Sequence, residues 1–489
     1  MAVPAKKRRG DGSRGAGLRK KTPVGRVRRA QQITTYGVGA MLAFEDQSYI
    51  VSGLDTWGAE YGTEIQDPRL QRKLGVQYFR LPPAGQPGDM GGGRQADPDG
   101  VRVRRFPRWY SCPECHVLQE FKKFGSRRGR NECGSCRVPL VPSRFVVACE
   151  NGHLDDFPYW QWAHGRSSTL ADRNAEHQLK LFSEGTTSSL RSIRIECTCG
   201  IDPVSMAGAF GKTALKQLDI SCSGARPWLA LPEDPNCHAF PRTLQRGSSA
   251  TWFPVVKSSL SIPPWSESIQ KFADKHYRKL REKSRSEIEI WMEDRHAPLP
   301  PGMTSDDLIA AVERRRLHDA EPEQGDDDES MEWEFSEEYR GREYTNLETG
   351  APEGDDRKSD FVCEPPTDRS ISVPGIEQTM LVKRLREVRA LCAFTRVEMP
   401  VPGGKAKKAR LSAGKIPWLP AIEVSGEGVF LRLDMDRLTS WENGEPVQQR
   451  TQRIINAHTE KLRAKIDSKE AKSLMSPGAP RLVLVHTLA

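Results

Sequence analysis

Residues 112–136 read CPECHVLQEFKKFGSRRGRNECGSC. Two CxxC pairs, Cys112 with Cys115 and Cys133 with Cys136, stand 17 residues apart. Each pair can sit on a tight knuckle whose two thiolates point at one ion. The intervening hairpin can then fold back to complete a tetrahedral four-thiolate site, best suited to zinc. A closed four-thiolate site has no open coordination position, so its role is structural and not catalytic. Two disulfides are the competing reading, and nothing else in the chain reads as secreted. The loop between the pairs carries Lys122, Lys123, Arg127, Arg128 and Arg130, and Arg102, Arg104, Arg105 and Arg108 precede it. A basic ribbon of this kind is either a surface for phosphates or a soluble scaffold.

A chain of 489 residues has room for two to four domains. Its 28% charged and 37% hydrophobic residues suit a soluble protein with much loop. No apolar run reaches the roughly 18 residues a membrane helix needs. The N-terminus has no apolar core of the signal-peptide kind. The expectation is a cytoplasmic protein, with no membrane partner, whose 11 cysteines are thiols or metal ligands. Residues 1–30 hold eleven basic residues against Asp11 alone, so this arm more than accounts for the net charge of +9. The body is nearly neutral. The arm is rich in glycine and poor in large apolar residues, so it reads as disordered. Its Lys6, Lys7, Arg8, Arg9, Lys20, Lys21, Arg26, Arg28 and Arg29 are candidates for non-specific DNA binding through counterion release. Lys122, Lys123, Arg127 and Arg128 of the ribbon join them, as do Lys405, Lys407 and Lys408 of a second basic loop. A merely solvated arm is the alternative.

Along the chain, residues 31–111 read as a β-rich N-terminal region, 112–137 as the four-cysteine ribbon and 138–262 as a Cys/His-rich β module. Residues 263–360 read as a helical segment and acidic linker, and 361–489 as a C-terminal α/β region. Residues 266–292 predict one amphipathic helix, with Ile269, Phe272, Ala273, Tyr277 and Leu280 on one face. Residues 319–340 carry eleven acids against Arg340 and read as a linker. Leu381, Leu385, Val388 and Cys392 fall at helical spacing and predict a second helix. Ile422 to Val424 and Val429 to Leu433 predict a hairpin across the SGEG turn. Ile455, Leu462 and Ile466 mark a last helix. The chain ends on the apolar LVLVHTLA, which reads as an element cut short. The fold class expected is α+β and multi-module.

A second metal set lies between residues 149 and 237. Cys197, Cys199, Cys222 and Cys237 make a four-thiolate site with irregular spacing. Cys149 and His153, in CENGH, are alternative ligands that could replace two of them, with His164 and His238 as further candidates. Buried free thiols are the bland reading. One zinc is expected at the ribbon and a second at this cluster.

No catalytic motif assembles. Gly211 to Thr213 spell GKT, but the P-loop glycine five positions earlier is Met206. Asp155 and Asp156 could serve a metal-dependent nuclease, though adjacent carboxylates more often cap a turn.

Seven stretches in order resemble one family. They are RRAQQITTYGVGAMLAF (28–44), SYIVSGLDTW (48–57), VPSRFVVACENGHLDDFPYWQWAHG (141–165), SCSGARPWLALP (221–232), LQRGSSATWFPVVKSSLSIPPW (244–265), LREVRALCAFTRVE (385–398) and PWLPAIEVSGEGVFLRLD (417–434). Together they resemble the DrmB family of the bacterial DISARM anti-phage systems. The resemblance implies a non-catalytic, zinc-ribbon-bearing subunit that partners a DrmA-like helicase on DNA, beside a DNA methyltransferase. It places the ribbon zinc on Cys112, Cys115, Cys133 and Cys136. Two departures stand out: the family continues past HTLA, and the acidic run is no family motif. The rival readings are a metal-dependent nuclease and a free-standing zinc-ribbon DNA-binding regulator.

Overall fold

The longest strand among the described residues, Ile376–Thr395, runs through the stretch whose apolar spacing predicts a helix. The computed structural model describes residues 25–467 apart from 45–46, 59–61, 84–99, 166–176, 184–189, 230, 295–297, 321–336, 355–359, 368–372 and 402–406. The expected helix over Leu381–Cys392 is therefore corrected to a strand. The cause is a pair of β-bulges. One falls between Val382 and Leu385, and a second register shift occurs opposite Val255 and Val256. Each bulge flips which parity of residue faces the core, so buried positions drift from a spacing of two towards one that mimics a helix.

Its partner Trp418–Leu433 is likewise unbroken, and the two run antiparallel from Ile376↔Leu433 to Ala390↔Ala421. The expected turn at SGEG is corrected too. Gly426 pairs with Leu385 and Gly428 with Val382, so the glycines face the bulge of the neighbouring strand. Glycine within a strand marks a bulge as readily as a turn.

Phe361–Glu364 and Phe253–Ser261 lie end to end along the other edge of Ile376–Thr395, with Phe361 opposite Leu385 and Ser261 opposite Arg386. Tyr78–Arg80 adds in parallel to Trp418–Pro420, and Glu64–Ile65 closes that edge. The largest core cluster accordingly draws on distant parts of the chain: Ile33, Ile50, Val146, Trp228, Leu391, Phe394 and Trp418 are all buried in it.

The ribbon strands Trp109–Ser111 and Val117–Glu120 belong to a six-stranded sheet with Val141–Pro142, Leu179–Ser183, Ile193–Cys197 and Val204–Ser205. A three-stranded sheet sets Phe145–Ala148 between Leu154–Asp156 and Arg242–Gln245. Another joins Met41–Phe44, Gln47–Val51 and Val103–Arg105.

The helix expected over 266–292 is two, Ser268–Leu280 and Arg285–Glu293, the second opened by a capping box on Ser284 and Glu287. Both pack on Ser305–Ala320 through Ile269, Ala273, Ile288, Leu308 and Val312. The last helix is Glu445–Asp467. Sheets antiparallel but for one pair, with helices gathered in separate stretches, make the fold α+β. No helix among the described residues is long and apolar enough to cross a membrane. Residues 321–336 of the acidic run, the arm up to residue 24, Lys405 and the apolar end lie outside the described residues.

Candidate metal centres

The ribbon is built from two knuckles that repeat each other. Cys112 N–H donates to Val117 O and His116 N–H to Cys112 O, at 3.0 and 2.9 Å. Cys133 N–H donates to Val138 O and Arg137 N–H to Cys133 O, at 2.8 and 3.0 Å. The residue after each second cysteine, His116 or Arg137, turns left-handed with φ of 60° or 63°. This turn folds the chain back so that both thiols of a pair face the same point. All four sulfurs lie within 4.8 Å of one another. The spacing fits tetrahedral zinc, whose four sulfurs sit about 2.3 Å from the ion. Cys112 and Cys133 are buried beside Tyr110, Phe124 and Leu140. Hydrogen bonding to Cys115 pushes the Cys136 thiol up to about 12. Burial works against a Cys133 thiolate, but the amides of Cys136 and Ser135, together with hydrogen bonds to the Cys112 and Cys136 thiols, hold that thiol below its usual value. Four thiols this close do not share four negative charges until a cation joins them.

Two of the arginines before the ribbon are engaged by neighbouring side chains, Arg105 half-buried and Arg108 at the surface. Arg105 stacks on Phe121 at 3.7 Å and bonds Asn131 and Tyr110. Arg108 clamps the acidic pair: its Nε donates to Asp156 at 2.7 Å and its guanidinium to Asp155 at 2.6 Å. Asp156 also accepts the Arg108 and Trp109 amides, and Asp155 accepts the Ser223 hydroxyl. Burial pushes the Asp156 carboxyl up, and Arg108 opposes the shift. These contacts join the strand Leu154–Asp156 to the ribbon sheet. Asp156→Ala should strand the Arg108 and Trp109 donors and cost about 2–4 kcal/mol in a denaturant titration. A change below about 0.5 kcal/mol would show the clamp to be decorative.

The second centre forms where the sheet edge of Phe145–Ala148 turns into Leu154–Asp156. Cys149 N–H donates to His153 O at 3.2 Å and Gly152 N–H to Cys149 O at 3.0 Å, closing a tight turn with a ligand at each end. Gly152 has φ of +84°, and a Cβ there would lie 2.7 Å from the Cβ of Ala409. Cys222 and Cys237 approach from the segment that follows. Cys149 Sγ is 3.5 Å from His153 Nδ1 and 3.9 Å from Cys237 Sγ, and Cys222 Sγ is 3.6 Å from the same nitrogen. Gly224, at φ +71°, lets the two halves of that segment meet, since a Cβ would fall 2.1 Å from Asp234 O. The far nitrogen of His153 faces Asp234 at 3.8 Å, the carboxylate–histidine arrangement that orients a metal ligand. The Gly224 backbone amide and the Asn151 side-chain amide point at Cys222 and Cys237 respectively. A hydrogen bond from Cys222 pulls the Cys149 thiol down to about 4 and holds the Cys222 proton on. Three thiolates with one imidazole are a zinc donor set.

The quartet expected from the sequence is thus split. Cys222 and Cys237 meet the alternative ligands Cys149 and His153. Cys197 and Cys199 lie at the end of Ile193–Cys197 with His164 and His177. The physical reason is sheet membership: Ile193–Cys197 belongs to the ribbon sheet, whereas Cys149 ends a strand of a different sheet. His238 is exposed and joins neither group.

Arg396 is not legible from the sequence as a site residue. It is fully buried, with Nε donating to Gly152 O at 3.0 Å and a terminal nitrogen to Gly39 O at 2.8 Å. Its other terminal nitrogen donates to Thr251 O. The guanidinium lies 4.9 Å from the Trp228 ring and 4.7 Å from that of Phe394. Burial pulls its pKa down to about 9, and the Cys149 thiolate acts the other way. Arg396 therefore braces the Cys149–His153 turn from behind.

Of the basic candidates, Arg26, Arg28, Lys122, Lys123, Arg127, Arg128, Lys407 and Lys408 are exposed and Arg29 partly so. Lys122 pairs with Glu120 at 2.7 Å, and Arg127 faces Glu132 at 3.7 Å. Gly211–Thr213 precedes only the short helix Ala214–Gln217. Asp434 accepts the Arg437 amide and caps Met435–Glu442.

A family described as a domain of unknown function (DUF8724) matches residues 28–253. The match takes in both thiol-rich centres. A DISARM protein DrmB of Bacillus paralicheniformis is 27% identical over 464 residues, which span 91% of this chain and 76% of that protein. Over 91% of its length, then, the chain is similar to a DISARM protein DrmB.

Proposed function

We propose that the chain is a metal-stabilised, DNA-associated subunit of a DISARM-type anti-phage defence complex, in which a DrmA-like helicase supplies the catalytic step. The similarity to DISARM protein DrmB over 91% of the chain carries the reading. Three features support it. Both thiol-rich centres are closed donor sets, which suit scaffolding more than turnover. The exposed cations of the ribbon loop and of Lys407 and Lys408, together with the N-terminal arm, offer phosphates a sequence-independent hold. Val429, Leu431 and Leu433 stand exposed on one face of their strand, and Met435 and Trp441 of the helix that follows are exposed as well. A helicase partner would cover these residues. The acidic pair most suited to a nuclease is engaged by Arg108, Trp109 and Ser223, which weighs against that rival.

The test uses the full chain with and without the helicase of the same system. The helicase should co-purify with it, and the isolated chain should hydrolyse no ATP and cut no DNA. Removing residues 1–30 should weaken binding to duplexes of any sequence. The salt slope should become shallower by about 0.9 for each phosphate that the arm neutralises. Unchanged affinity and slope would leave the arm a solvated tail. Failure to retain the helicase would favour the free-standing regulator. Metal-dependent cleavage abolished by changing Asp155 or Asp156 would favour the nuclease.

A further inference from the structure

The geometry points to a third metal site, a two-thiolate, two-imidazole centre for a divalent zinc-like cation on His164, His177, Cys197 and Cys199. The four ligand atoms lie within 4.8 Å of one another. They come from three elements that the fold fixes independently. Cys197 is the buried last residue of the strand Ile193–Cys197, where it pairs with Leu179. Cys199 follows in a tight turn closed by Gly200 N–H donating to Cys197 O at 3.1 Å. His177 precedes the neighbouring strand Leu179–Ser183. Thr198 N–H donates to Gln178 O at 3.1 Å and Gln178 N–H to the Thr198 hydroxyl at 2.8 Å, which locks the two ligand-bearing ends side by side. His164 ends the helix Tyr159–His164.

The histidines carry the marks of ligands. His164 Nδ1 is 3.0 Å from Trp160 O, an acceptor, so Nδ1 holds the proton and Nε2 presents its lone pair. That Nε2 is the atom 3.5 Å from Cys199 Sγ. A ring nitrogen tied to a carbonyl while the other faces a thiol is the orientation metal-ligating histidines adopt. Nδ1 of His177 is enclosed without a hydrogen-bond partner among the described residues. Such an orphan beside two thiols and an imidazole is explained by an ion. The Trp160 indole stacks on His164 at 4.2 Å and 23° and lies nearly parallel to His177 at 6.3 Å and 19°. It holds the rings in place.

Two soft thiolates with two imidazoles form a tetrahedral zinc set and leave no open position. The ion would pin the helix Tyr159–His164 to the far end of the ribbon sheet. Tyr159 and Ala163 of that helix pack with Leu179, Ile195 and Cys197 in one core cluster. The site thus serves the sheet that also carries the ribbon.

The test is metal counting on the full chain by elemental analysis, with cobalt substitution as a second readout. Three separate groups predict about three zinc ions per chain. His177→Gln with Cys199→Ser should lower the count by about one and leave the other two sites loaded. In the cobalt form, the fall in thiolate-to-metal absorption should correspond to about two sulfurs. Alkylation of the wild-type protein gives an answer even if the variant fails to fold. Cys197 and the exposed Cys199 should resist the reagent until a chelator is added. About two ions in the wild type, an unchanged count in the variant, or Cys199 reacting freely in metal-loaded protein would overturn the site.

Discussion

Cys222→Ser is expected to release one zinc ion and to destabilise the protein by about 4 kcal/mol or more, the range of lost metals and buried networks. Structural zinc sites in isolated fingers are worth about 10–16 kcal/mol. Here the fold has its own core, so only part of that is lost. The effect spreads because the centre ties two stretches of the largest core together. Ala148 and Leu154 flank the Cys149–His153 turn, and Trp228 follows Cys222. Leu154 N–H also donates to Ala225 O at 3.1 Å. Elemental analysis and a urea midpoint would measure both effects. Cys197→Ser must leave this ion in place. A variant at Cys197 that empties the Cys222 centre would restore the quartet read from the sequence and sink the assignment made from geometry.

The second large effect is expected at Arg396. Replacing it by methionine keeps much of the volume but leaves the carbonyls of Gly39, Thr251 and Gly152 without their donor. Breaking a buried charged network by removing one partner costs about 3–5 kcal/mol. Lysine should not rescue, because one ammonium on a flexible stem cannot reproduce a planar fork set near Trp228 and Phe394. Gly152 lies inside the Cys149–His153 turn, so the methionine variant should also bind zinc more weakly at that centre. Unchanged stability together with unchanged zinc retention under a chelator would show that Arg396 braces nothing.

The ribbon is legible in the sequence because its ligands are local. Each CxxC pair closes within four residues, so sequence spacing alone sets the distance between its thiols. The second centre is half legible for the same reason. CENGH places Cys149 and His153 at the ends of one turn, but nothing in the spacing says which distant cysteines complete the set. Cys197 and Cys199 look as good as Cys222 and Cys237 until strand pairing sends them to another sheet. The long strands mislead for a related reason. Periodicity reports burial, and bulges at Val382 and opposite Val256 change which residues are buried without changing the backbone state.

The sequence by itself therefore determined the α+β class, the four-thiolate ribbon, the cationic arm and the resemblance to DrmB. Each depends on composition or on residues close together in the chain. Tertiary structure decided the partition of the remaining cysteines, the strand character of Ile376–Thr395, the contacts that engage Arg105 and Arg108, and the role of Arg396. Those outcomes depend on which distant segments share a sheet. That choice is made by packing over the whole chain, where Ile33 and Trp418 meet in one core, and no local window contains it.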